Sequence, residues 1–204
     1  MVKIKICGLT NSKDYATVCK LKADYAGFIF YPPSPRAVSK EKARRIITSY
    51  PDKNIKKVGV FVNADPETVR SLYNYLNLDL VQLHGDETPA YCSKLNLPYW
   101  KALRIKDKTD IDKVENYNCS AILVDSYHKK FYGGSGLSIP AELLQQCLAL
   151  PKNIIAAGGL NCSNISQVLE LKPWAVDINS GVEAAKGCKD HRLLQKIFHK
   201  IKNK

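Results

Sequence analysis

The chain is 204 residues long, with 45% apolar and 25% charged residues, 31 Lys and Arg against 19 Asp and Glu, and a formal net charge of +12. That length is ample for a hydrophobic core, and the composition excludes disordered and fibrous classes. No run approaches the roughly 18 apolar residues of a membrane span. The opening Met1-Val2-Lys3-Ile4-Lys5-Ile6-Cys7 lacks the apolar core of a signal peptide, so a cytoplasmic protein without a membrane partner is expected.

In chain order, short β-branched runs alternate with amphipathic stretches. Ile4–Cys7 reads as a strand, followed by a helix capped by Ser12 and running to about Lys22. Tyr25–Phe30 is a second strand, and a helix opens at Ser39 and Glu41 and stops near Tyr50, before Pro51. Lys57–Val62 is the third, and Asp65-Pro66-Glu67 supplies a cap, a first-turn proline and an early acid for the next helix. Leu80–His84 and a helix from Thr88-Pro89 follow, then Tyr99–Arg104 and a helix from Asp110. Ala121–Asp125 precedes a glycine-rich loop and a helix over Ala141–Leu148. Asn153–Ala157 with a helix from Ser163, and Ala175–Ile178 with a helix over Asp190–Lys202, complete the series. Eight strand–helix units in one unbroken chain predict a parallel sheet closed into a single-domain (β/α)8 TIM barrel spanning residues 1–204. A doubly wound open sheet is the alternative, although it needs edge strands and all eight runs are apolar.

The charge is uneven. Residues 36–57 hold eight Lys and Arg against two acids, residues 186–204 hold seven against one, and residues 58–185 are slightly acidic. A nucleic-acid partner would want aromatic residues among those basic ones, and residues 186–204 offer only Phe198; no nucleic acid is expected. The seven cysteines are widely spaced and include no C-x-x-C pair, which argues against a disulfide framework or zinc site and for reduced, mostly buried thiols.

A barrel of this kind carries its active site at the C-terminal strand ends. There the sequence places Cys7, the loop from Tyr31 to Arg36, Asn63, His84, Arg104, Asp125, Gly158-Gly159, Asp177, Asn179 and Ser180. Gly158-Gly159 after the seventh strand and Ser180-Gly181 after the eighth suit phosphate, because glycines let backbone amides approach an anion. Cys7 and Asp125 close the first and sixth strands. A thiolate can serve as a base and a carboxylic acid as a proton donor, whereas a buried apolar cysteine and a capping aspartate are the plainer readings. Three prolines stiffen the loop before Arg36, as a guanidinium aimed at a carboxylate would require, or as any rigid surface turn would. His84 is either a polar strand end or a contact to a ligand.

The segments Lys5-Ile6-Cys7-Gly8-Leu9-Thr10, Gly27-Phe28-Ile29-Phe30-Tyr31-Pro32-Pro33-Ser34-Pro35-Arg36, Val81-Gln82-Leu83-His84-Gly85-Asp86-Glu87, Ala157-Gly158-Gly159-Leu160-Asn161 and Asp177-Ile178-Asn179-Ser180-Gly181-Val182-Glu183 closely resemble the phosphoribosylanthranilate isomerase family. The resemblance covers nearly the whole chain. It implies an Amadori rearrangement of N-(5'-phosphoribosyl)anthranilate in tryptophan biosynthesis, without metal or organic cofactor. By the same resemblance Asp125 is the general acid, Cys7 the general base and Arg36 the partner of the anthranilate carboxylate. It also makes Gly158-Gly159 and Ser180-Gly181 the phosphate loops, and Asp177 a substrate contact; the contact reading of His84 rests on its place at a strand end alone. The implied partner is a small phosphoribosyl substrate, and relatives of this kind are monomers or homodimers. Two departures stand out. The family's aromatic–acid–aromatic segment beyond Asp125 is replaced within Gly133–Pro140, and Asn179 replaces a small hydroxyl residue. The relatives that build indole-3-glycerol phosphate or isomerise a histidine precursor would need a strand-end lysine or two aspartates. No strand here ends in Lys, and the first ends in Cys7.

Overall fold

Strands form where Val, Ile, Leu and Ala follow one another between capping residues, and the computed structural model describes them within residues 1–126 and 140–203. The predicted substitution in the loop 133–139 lies outside the described residues.

The elements run β1 (Lys3–Ile6), α1 (Ser12–Lys20), β2 (Tyr25–Ile29), α2 (Lys40–Ser49), β3 (Lys56–Phe61), α3 (Pro66–Leu76), β4 (Leu80–Leu83), α4 (Pro89–Leu95), β5 (Tyr99–Ile105), α5 (Lys108–Asp112), β6 (Ala121–Ser126), α6 (Ala141–Leu148), β7 (Ile154–Ala156), α7 (Ile165–Glu170), β8 (Ala175–Ile178), β9 (Glu183–Ala185), β10 (Cys188–Lys189) and α8 (His191–Lys202). Strands β1 to β8 pair in sequence order, all parallel, and close into a barrel. The seam is β1 against β8, in a register that places Lys3 opposite Ala175, Lys5 opposite Asp177 and Ile6 opposite Ile178. The closed barrel excludes the open-sheet alternative.

The caps explain most helix starts. Ser39, Asp65, Thr88 and Asp190 each accept backbone N–H groups of the first turn, contacts worth about 1 kcal/mol apiece. Three starts differ from expectation. Asn11, not Ser12, caps α1, its side chain accepting from Asp14 N–H. Helix α5 begins two residues earlier than predicted, because Asp107 caps it through Thr109 N–H, and it gives way to a 3-10 turn over Lys113–Asn116. Helix α7 starts at Ile165, because Ser163 is used instead in a turn with Asn161. The antiparallel hairpin β9–β10 was not foreseen; it pairs Lys189 with Glu183.

Alternation along each strand sorts side chains between two layers. One set faces the helices, for instance Ile122, Val124, Ile154 and Ala156 against Leu144 and Cys147. The other fills the barrel: Tyr25, Val58, Leu80, Trp100, Leu123, Ile155 and Ala175 form one buried cluster. Its aromatic floor is Tyr25 edge-on to Trp100 at 4.7 Å between centroids, with Trp174 beyond at 5.9 Å from Trp100. Continuing two residues along these strands gives Asp125 after Leu123 and Asp177 after Ala175. The floor is apolar and the rim is polar for the same periodic reason.

Candidate active site

That rim opens into a narrow cleft of about 70 Å³. Cys7, Arg36, His84, Asp125, Gly158, Gly159, Asp177 and Ser180 all line it, beside Gln82, Val60, Val62, Tyr31 and Asn179. Of the residues expected at the site, Gly181 stands back from the cleft: a Cβ there would lie 1.9 Å from the Leu160 carbonyl oxygen. It lets the loops after β7 and β8 pack together and leaves the lining to Ser180. Gly158 and Gly159 have positive φ, 81° and 62°, a conformation in which glycine is favoured. Arg104 and Asn63 are not cleft residues. Arg104 reaches Asp86 at 2.6 Å, and Asn63 accepts from Asp86 N–H.

At one end of the cleft Cys7 is 4% exposed and sits over Gly27, whose Cβ, if present, would lie 2.8 Å from Sγ. Lys5, two residues earlier on the same face of β1 and fully buried, donates to Asp177 Oδ1 at 2.9 Å. Burial opposes the charge on Lys5, but Asp177 and Cys7 outweigh it and raise its pKa above the ordinary lysine value. Burial raises the Cys7 thiol pKa above its ordinary value; Lys5 and Lys189 oppose this and Asp177 adds to it, without reversing the direction.

The loop before α2 is tied down by Ser34 N–H to Tyr31 C=O and Val38 N–H to Ile29 C=O. It delivers Arg36 to Glu183, where Nε meets Oε1 at 2.8 Å and Nη2 meets Oε2 at 2.6 Å. The Glu183 hydrogen bonds raise the Arg36 pKa further. Burial disfavours the Glu183 carboxylate, yet Arg36 and Lys189 more than compensate and lower its pKa. Lys189 Nζ donates to Glu183 Oε1 at 3.0 Å and to the backbone and side-chain oxygens of Asn179 at 3.0 and 2.9 Å.

Across the cleft, His84 Nε2 faces Asp125 Oδ2 at 3.4 Å, and Gln82 Nε2 lies 2.7 Å from His84 Nδ1. With the Gln82 amide donating, Nδ1 accepts and the imidazole proton sits on Nε2, toward Asp125. His84 Nε2 and Gln82 Oε1 are buried without a hydrogen-bond partner among the described residues, a costly arrangement that suits atoms kept for a ligand. The loop after His84 is anchored from beneath: buried Lys101 donates to Glu87 Oε2 at 2.9 Å and Gly85 C=O at 2.7 Å, and Glu87 receives Asn63 N–H.

Lys5, Lys189, Glu183 and Gln82 were missed by reading strand ends alone. Lys5 and Gln82 lie one inward position below the rim, a period-2 signal present in the sequence. The hairpin residues gave no such signal.

The cleft thus joins a thiol among cations, an acid beside a histidine, a fixed guanidinium and paired glycine loops. Known proteins share the arrangement's framework. The family described as N-(5'-phosphoribosyl)anthranilate (PRA) isomerase matches residues 4–200. An N-(5'-phosphoribosyl)anthranilate isomerase of Trichlorobacter lovleyi is 40% identical over 203 residues, covering 99% of this chain and 98% of that one. The crystal structure of the Thermotoga maritima phosphoribosyl anthranilate isomerase superposes with a TM-score of 0.92 at 35% identity over the full length of both chains. Another, solved in complex with reduced 1-(o-carboxyphenylamino)-1-deoxyribulose 5-phosphate, gives 0.88 at 34% identity, again over the full length of both. The chain belongs to the N-(5'-phosphoribosyl)anthranilate isomerase family.

Proposed function

We propose that Cys7 and Asp125 are the base and acid of an Amadori rearrangement that this chain carries out on N-(5'-phosphoribosyl)anthranilate, giving 1-(2-carboxyphenylamino)-1-deoxyribulose 5-phosphate, the third step of tryptophan biosynthesis from chorismate. The observation that carries this reading is the convergence of both groups on one cleft with the glycine loops and Arg36.

Asp125 donates a proton to the ribose ring oxygen, the C1'–O bond breaks, and the anthranilate nitrogen lone pair closes a Schiff base. His84 Nε2, 3.4 Å from Asp125 Oδ2 and without a hydrogen-bond partner among the described residues, is offered to the substrate beside the acid. Cys7 then removes the C2' proton, and its electron pair moves into C1'–C2' to give the enolamine, which tautomerises to the ketone. One proton is given and one taken, so the reaction is a net isomerisation. Two groups on separated strands are required because the ring oxygen and C2' are different atoms on different sides of the sugar. The substrate phosphate fits between Gly158-Gly159 and Ser180, and Gly181 serves by letting those loops close-pack. Arg36 Nη1, unengaged among the described residues, is directed to the anthranilate carboxylate. Asp177 is a substrate contact whose charge Lys5 balances. The phosphoribulose compound bound to a family member supports a ligand of this class for this chain.

The test is a fluorescence assay of the purified protein with freshly prepared phosphoribosylanthranilate. Loss of anthranilate fluorescence at an enzymatic rate is expected. Silence with this substrate, with turnover of another ribose phosphate, would move the activity elsewhere on the same scaffold.

A further inference from the structure

Strand β4 puts two polar side chains into the wall of the cleft. Along it Leu80 packs in the barrel cluster while Val81 and Leu83 face the helices, so Gln82 and His84 share the inner face with Leu80. Both line the cleft, with Gln82 1% and His84 9% exposed. One contact ties them, Gln82 Nε2 to His84 Nδ1 at 2.7 Å, and it leaves two atoms over. Gln82 Oε1, an acceptor, and His84 Nε2, which carries the ring proton, are buried without a hydrogen-bond partner among the described residues. Turning the amide over exchanges these roles and still leaves one donor and one acceptor. The neighbouring strand offers no partner, since apolar Val60 stands opposite Gln82. On the other side the Lys101 ammonium is occupied by the Leu83, Gly85 and Ala102 carbonyls and by Glu87.

Two unmet groups of opposite kind, each on the same amide or ring as the atom that joins them, match a hydroxyl. Its O–H donates to one and its oxygen accepts from the other. An ionised phosphate or carboxylate and a carbonyl have no proton for the acceptor, and an ammonium has no lone pair for the donor. Which hydroxyl follows from where the wall stands. Cys7 closes β1, and β4 is three strands away around the closed barrel, across the cleft. On C2' of a ribose the hydrogen and the hydroxyl point to opposite faces of the carbon. A base at Cys7 takes the hydrogen, so the hydroxyl is turned toward the far wall. We propose that Gln82 and His84 form a clamp for the C2' hydroxyl, His84 donating to its oxygen and Gln82 accepting from its O–H. The assignment rests on a phosphoribosyl substrate with Cys7 as its base. Once the ring has opened, C2' can turn about two single bonds, and a held hydroxyl keeps its C–H bond aimed at the thiol. His84 Nε2 lies 3.4 Å from Asp125 Oδ2, so the clamp stands beside the acid, as the C2' hydroxyl stands near the ring oxygen.

The experiment measures dissociation constants for two unreactive ligands by calorimetry. One is 1-(2-carboxyphenylamino)-1-deoxyribitol 5-phosphate, which keeps the ribose configuration at C2, and the other is its 2-deoxy counterpart. The wild type is expected to bind the hydroxyl compound at least about tenfold more tightly. In Gln82→Met and in His84→Phe that preference falls to about threefold or less, while affinity for the 2-deoxy compound stays within about threefold of wild type. A smaller preference in the wild type overturns the proposal, as does a preference kept in both variants. An equal loss of affinity for both compounds also overturns it, because that is the mark of a merely structural role. Should Gln82→Met not fold, His84→Phe at the cleft wall carries the test. Turnover of phosphoribosylanthranilate without discrimination between the ligands removes the clamp alone, whereas no turnover and no binding of either ligand removes the substrate reading with it.

Discussion

Glu183 grips Arg36 with both carboxylate oxygens, at 2.8 Å to Nε and 2.6 Å to Nη2, and through Oε1 also receives Lys189 at 3.0 Å. One carboxylate thus fixes the direction of a guanidinium and ties it to an ammonium on the facing strand of the hairpin. A bidentate, buried pair of this kind is far more restrictive than an exposed one. Removing its charge should release Arg36 as a binding group. In Glu183→Gln, KM for phosphoribosylanthranilate is expected to rise about tenfold or more with a smaller change in kcat. Steady-state kinetics check this, and an unchanged KM would show that Arg36 needs no such support.

The same pair carries a pH signature. The Glu183 pKa is lower in the folded protein than its ordinary value of 4.5, so its stabilisation is present above that value and is lost as pH falls through the depressed one. Thermal melts of the wild type should therefore fall with acidification below about pH 4.5. In Glu183→Gln the fall should be shallower, from a lower starting point. Lys5 acts at the other extreme: its raised pKa means its contribution is complete below the ordinary lysine value of 10.5 and disappears only at higher pH. Parallel acid slopes for the two proteins would contradict the assignment.

Two glycines separate packing from chemistry. A Cβ at Gly181 would fall 1.9 Å from a backbone carbonyl, whereas one at Gly27 would meet Cys7 Sγ at 2.8 Å. A main-chain oxygen cannot move without its loop, so Gly181→Ala should cost about 3 kcal/mol, the upper end of overpacking penalties, and should raise KM by disturbing the phosphate loops. Gly27→Ala should cost about 1 kcal/mol and act mainly on kcat by displacing the base. Denaturant melts and kinetics on both variants check the contrast; equal effects on KM would remove it.

The barrel was legible because its eight strands are written in a simple code: apolar runs of a few residues, most of them followed by a helix with a capping Ser, Thr, Asp or Asn. The rim was legible for a related reason, since a polar residue that ends an apolar strand is conspicuous, as at Asp125 and Asp177. What escaped were charges that do not look like site residues. Lys5 reads as an ordinary solvated lysine in Lys-Ile-Lys-Ile until Asp177 is placed opposite it across the closing seam. Lys189 and Glu183 belong to strands of two and three residues, too short for any periodicity, and only the hairpin pairing brings them together. Charge pairs made by register across distant strands are not visible in local sequence.

The basic chain ends can also be placed. Helix α1 packs against both α2 and α8, so the lysine- and arginine-rich segments 36–57 and 186–204 share one side of the seam. Such a field attracts a substrate bearing phosphate and carboxylate. Between low and physiological ionic strength the screening length shrinks from about 30 to about 8 Å, and kcat/KM is expected to fall about threefold or more. A flat profile would make the seam a solvated surface with no part in capture.

The central claim is that proton transfer at Cys7 and Asp125, in one cleft, performs the rearrangement. The most direct measurement is steady-state turnover of phosphoribosylanthranilate by Cys7→Ala and Asp125→Asn. Each should lose about 10²- to 10⁴-fold in kcat with KM nearly unchanged, because each removes a proton-transfer group and leaves the binding contacts in place. Near wild-type kcat in a clean Cys7→Ala protein would contradict the account.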